Sequence, residues 1–159
     1  MRTYAALIAS VVLIFGCSGL ATASNTANHT VTVHVDAINE VAITGGDITL
    51  TINSANAGSQ PNDATNATCH LEWTTNEANK KITVQSDQAA PTFTLKVIAT
   101  GVSGGTAAPQ VTVSNVAQDF VTGVATTVGN CTLSYTGSAT AAQGTGEDVH
   151  VVTYTLTGA

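Results

Sequence analysis

Cys69 and Cys131 carry the most definite chemistry the chain offers. A third cysteine, Cys17, falls in an apolar N-terminal stretch; once that stretch is set aside the other two are the only pair, and in an oxidising compartment a disulfide is expected between them. Their surroundings match. Cys69-His70-Leu71-Glu72-Trp73 and Cys131-Thr132-Leu133-Ser134-Tyr135 both put cysteine, leucine and an aromatic at alternate positions, which is one face of a strand. A bridge there would pin two strands or sheets across one core. Closing so long a loop adds about 4 kcal/mol in the chain-entropy account.

The remaining reactive side chains are scattered. His29, His34, His70 and His150 form no His-x-His pair and no Cys-x-x-Cys occurs, so a metal site is not expected. Asp47, Asp63, Asp87 and Asp119 sit at or near turn material without the spacing of a calcium loop, and read as solvated turn residues. Three Asn-x-Thr matches, beginning at Asn28, Asn66 and Asn130, fit the glycosylation pattern but arise readily in so Asn- and Thr-rich a chain. Neither a catalytic constellation nor a cofactor is expected.

The elements that hold these residues follow a leader. Met1-Arg2, an apolar run over 5–15 broken only by Ser10, and Ala21-Thr22-Ala23 resemble a cleavable signal peptide over 1–23, leaving a domain at 24–159. Ile14-Phe15-Gly16-Cys17 offers a rival, a lipid anchor at Cys17. The apolar run falls short of the about 20 residues that span a bilayer, so no membrane span is expected. Location is read as secreted or cell surface.

Charged residues are 9% of the chain against about 25% in ordinary globular domains, and ten acidic residues face four basic ones. Nucleic acid is therefore a poor partner. Residues 30–35 alternate strictly, with Val31, Val33 and Val35 on one face and Thr30, Thr32 and His34 on the other. The same period returns at 41–43 and, after a Gly45-Gly46 turn, at 48–52. A long loop is expected over 53–67, then strands at 68–74, 81–86, 92–99, 110–114, 131–139 and 150–157. The stretch 116–124 is ambiguous, because Val116, Ala117, Phe120 and Val121 also fit a helical turn. About eight short strands with no helical run after the leader predict an all-β fold, a single antiparallel, Ig-like β-sandwich.

The alternating residues Asn28-His29-Thr30-Val31-Thr32-Val33-His34-Val35, a cysteine pair, and a closing strand Val151-Val152-Thr153-Tyr154-Thr155-Leu156-Thr157 resemble secreted β-sandwich subunits of the spore-coat-protein-U and chaperone-usher pilin type. The chain departs from that group in its late cysteines and in the place of Tyr154, further inside than the penultimate tyrosine of usher pilins. The resemblance implies that Thr30, Val31, Thr32, Val33, His34 and Val35 act as a donated strand, completing the sheet of a neighbouring subunit.

Two function classes follow. The first is a non-enzymatic structural or adhesive subunit of a pilus, coat or matrix, with self-association or other extracellular surface proteins as partners. The second is a monomeric extracellular ligand- or carbohydrate-binding module, with a glycan as partner, using Trp73 or the long loops. The register of Cys69 puts Trp73 in the core, which favours the first.

Overall fold

A computed structural model describes residues 25–159. The expected signal peptide at 1–23 and the anchor residue Cys17 lie outside the described residues. Val35–Ala159 forms one compact unit, an all-β sandwich of two antiparallel sheets.

One sheet runs in the order β1-β2-β8-β4-β6, with β1 at Asn39–Thr44, β2 at Ala64–Thr75, β4 at Thr94–Ser103, β6 at Val111–Thr112 and β8 at Thr127–Ser138. The other runs β5-β7-β3-β9, with β3 at Lys80–Ser86, β5 at Thr106–Ala107, β7 at Gln118–Val124 and β9 at Val152–Gly158. Alternation decides which face each strand buries. On β2 the inward residues are Cys69, Leu71, Trp73 and Thr75, and on β8 they are Gly129, Cys131, Leu133, Tyr135 and Gly137. The second sheet answers with Ile82, Val84, Phe120, Val121, Val124 and Tyr154. Burying a side chain of this size contributes about 1.5–3 kcal/mol.

Three ladders are interrupted, and each interruption explains a boundary that the sequence pattern misplaces. β2 opens at Ala64 rather than at 68 because an extra residue between Asn66 and Cys69 shifts its register against β8. There the Asn66 side chain accepts from both the backbone N–H and the hydroxyl of Thr68, at 2.9 and 2.8 Å, a local turn that stabilises the bulge. β4 runs on past Ala99 by way of a shift between Thr100 and Ser103, where Gly101 adopts a φ of +63°. The ambiguous stretch is strand β7, whose register against β3 slips twice, between Lys80 and Ile82 and again between Ile82 and Thr83. The two extra residues bring the consecutive Phe120 and Val121 both inward, which is why a doubly bulged strand carries a helix-like apolar pattern.

The strand expected at 48–52 belongs to no ladder among the described residues. Gly45 and Gly46 turn the chain as expected, with φ of +106° and +74°. However, Gly45 lies so close to Thr68 O that a Cβ there would stand 2.7 Å away, and the chain is carried past β2 instead of back along β1. Ile48 and Leu50 then pack against the core, with the Leu50 side chain beside Gly137, while Thr49 and Thr51 stay exposed. The strand expected at 110–114 is shortened to two residues because the chain changes sheets. Val113 N–H donates to Leu95 O in β4, whereas Ser114 O accepts from Ser86 N–H in β3.

The two sheets are joined at the centre by Tyr135 of β8 and Tyr154 of β9, whose hydroxyls meet at 2.8 Å in the core. Phe120 lies tilted against the Tyr154 ring with centroids 5.1 Å apart, an arrangement aromatic pairs favour over a face-to-face stack.

Candidate interaction surface

Among the described residues four strands form the sheet borders: β1 and β6 in one sheet, β5 and β9 in the other. A border strand presents unbonded backbone groups to any strand that approaches, and natural sheets blunt such borders by shortness, charge, proline or bulges. β5 and β6 are two residues long and flank Pro109. β1 carries Glu40 and opens on a hydrogen-bonded corner, where Asn76 accepts from Ile38 N–H at 2.8 Å and the Asn39 amide donates to Glu77. That bond and Lys80, 2.9 Å away, hold the Glu77 carboxyl below the usual carboxylate range. β9 has none of these devices. Its seven residues pair with β3 in unbroken register and include no charge and no proline.

The expected donor segment, Thr30, Val31, Thr32, Val33, His34 and Val35, lies in no strand ladder among the described residues. Val31, Val33 and Val35 are 71%, 82% and 66% exposed. An alternating apolar stripe left open to water has the pattern of a strand without a sheet beneath it.

The bridge expected between Cys69 and Cys131 is absent. Both are buried free thiols. They lie on adjacent strands of one sheet, on the same face, but Cys69 stands opposite Leu133 and Cys131 opposite Leu71. Diagonal neighbours of this kind stand about 7–8 Å apart, beyond the usual disulfide span of about 4.4–6.8 Å between Cα atoms. The Cys69 thiol donates to Gly46 O at 3.3 Å. Burial pushes the Cys131 thiol up to about 11, which leaves it almost wholly protonated and a poor nucleophile. The tyrosines beside them are displaced the same way: burial raises both Tyr135 and Tyr154, and for Tyr154 its neighbours Tyr135, Cys131 and Cys69 add to the shift.

The other polar residues are placed structurally. His150 Nδ1 meets Ser86 Oγ at 3.0 Å, but Ser86 is buried and Asp87 bonds that serine and the Val151 N–H rather than the ring. His70 meets Thr132 at 3.2 Å on the outer sheet face. Asp119 pairs with Lys81 at 2.9 Å. A Gly-x-Ser-x-Gly match, Gly101-Val102-Ser103-Gly104-Gly105, joins β4 to β5 and runs against the expectation of no catalytic constellation. A nucleophile elbow needs a strand-to-helix turn and a base, and Ser103 has the backbone of a strand end instead. Among the described residues no group of three or more His, Cys, Asp or Glu is placed to hold a metal ion, and no helix is long and apolar enough to cross a membrane. Trp73, the aromatic that a sugar platform would need outside, is 2% exposed.

Comparison with known proteins adds no relative: no family model, curated protein or solved structure matches this chain.

Proposed function

We propose that this protein is a secreted or cell-surface, non-enzymatic subunit of a structural or adhesive assembly such as a pilus, coat or matrix, joined to its neighbours by addition of the 30–35 segment to an open sheet border. The observation that carries this reading is the alternating stripe of Val31, Val33 and Val35, exposed and outside every ladder of the described residues. Paired with a neighbouring sheet, that segment would cover its valines. The low charge of the chain suits closely packed extracellular material. A glycan-binding module is the less favoured reading, because the indole of Trp73 is inside the core.

The test is the size distribution of the purified protein against a Val31→Asp/Val33→Asp variant. Concentration-dependent polymers in the parent and their loss in the variant, with far-UV circular dichroism unchanged, support strand addition. Equal polymerisation of both would refute it.

A further inference from the structure

We propose that β9 is a self-complementary docking edge, pairing antiparallel with β9 of a second copy about a two-fold axis through Thr155. The backbone directions come from the β3 ladder. Val151 O accepts from Asp87 N–H and Ala159 N–H donates to Asn79 O, both toward β3. By alternation, Thr153, Thr155 and Thr157 also face β3, and the amides and carbonyls of Val152, Tyr154, Leu156 and Gly158 point to the open side. Those four have no backbone partner there among the described residues.

Thr155 is the middle residue of Val152–Gly158, so a two-fold axis at Thr155 overlaps the two strands over their whole length. The outward-pointing residues then meet one another as hydrogen-bonded pairs, Tyr154 with the second copy's Leu156 and Val152 with its Gly158. On the core-facing side these pairs are apolar, and the largest residue of the four, Tyr154, falls opposite an aliphatic. On the outer side Thr155 meets Thr155 and Thr153 meets Thr157, cross-strand threonine pairs of the kind that stabilise sheets. No charged residue lies in β9, so the axis brings no like charges together. An isologous contact of this type closes as a dimer with one continuous sheet, β5-β7-β3-β9 joined to its symmetric equivalent. It uses none of the 30–35 segment, but a β9 paired in this way is closed to that segment, so the strand addition proposed above then takes place at β1, β5 or β6.

The test places a reporter thiol on the axis in a Cys17→Ser background. Thr155→Cys puts two thiols at a non-hydrogen-bonded pair, about 4.5 Å between Cα atoms, within disulfide reach. Mild oxidation should convert most of this variant to a covalent dimer. Thr112→Cys, on the border of the other sheet, and Thr153→Cys alone should remain largely monomeric on gels, while mixed Thr153→Cys and Thr157→Cys chains should cross-link. Sedimentation in the Val31→Asp/Val33→Asp background should show a dimer that Thr155→Lys dissociates without loss of circular dichroism. The proposal is overturned if Thr155→Cys links no faster than Thr112→Cys, or if the valine variant sediments as a monomer.

Discussion

The indole of Trp73 lies on Gly129. The two residues are register partners across β2 and β8, and a Cβ at Gly129 would stand 2.3 Å from Trp73 Cε2, 2.4 Å from its Nε1 and 2.5 Å from Ser103 O. The glycine is thus required by the space the ring fills. Gly129→Ala should therefore cost about 3 kcal/mol, the upper part of the range for overpacking a core. Urea denaturation followed by Trp73 fluorescence measures it. A loss below about half a kcal/mol, well under that range, would mean that the ring is elsewhere, as would water-like emission from the native protein.

Tyr135 and Tyr154 supply a buried hydroxyl pair between the sheets. Replacing either by phenylalanine strands the other hydroxyl, at about 1–3 kcal/mol. Replacing both removes donor and acceptor together, so the double variant should lose less than the sum of the singles. A double-mutant cycle reads the difference directly, and strict additivity would contradict the 2.8 Å contact.

The same burial makes the fold sensitive to alkali. Folding raises the pKa of Cys131, Tyr135 and Tyr154 above their unfolded values. Acids raised in this way contribute stability that is present in full below their unfolded pKa and is lost as pH climbs above it. The unfolded chain then releases protons that the folded chain still holds. Stability should be flat through neutral pH and fall above about pH 9–10, by about 1.4 kcal/mol per pH unit for each group ionised only when unfolded. Tyrosinate absorbance should rise together with loss of the native circular dichroism. Smooth titration of both phenols in the folded protein would overturn this.

Both thiols should be present and protected. Without reductant, denatured protein should label at Cys69 and Cys131, while native protein should label only at the rate of opening. A reductant requirement for labelling in denaturant would show a bridge that the diagonal register disfavours.

Residue periodicity made the class of fold legible. Val31, Val33 and Val35, Leu71 with Trp73, and Leu133 with Tyr135 mark period-two segments in the bare order of residues, and the buried position of Trp73 follows from its register with Cys69. What periodicity conceals is anything that breaks it. Phe120 and Val121 face the same way only because β7 bulges twice, and a sequence window records that as a helical turn. Ile48, Leu50 and Ile52 alternate like a strand, yet alternation reports which side is half-buried and not whether a neighbour is there to bond. The cysteine pair misled for a related reason. Two cysteines on one face are necessary for a bridge, but which residues stand opposite is set by the register between two strands distant in sequence, and here Cys69 faces Leu133 while Cys131 faces Leu71. The open border at β9 was equally hidden, since an edge is a property of sheet order and not of the strand's own residues.

In the function proposed above, the 30–35 segment joins one subunit to the next. Light scattering across a concentration series, with negative-stain microscopy of the same samples, tests it most directly when the parent is compared with Val31→Asp/Val33→Asp. Ordered polymers that grow with concentration are expected in the parent, and particles no larger than a dimer in the variant. A parent that never exceeds a dimer, or a variant that polymerises as well as its parent, would contradict it.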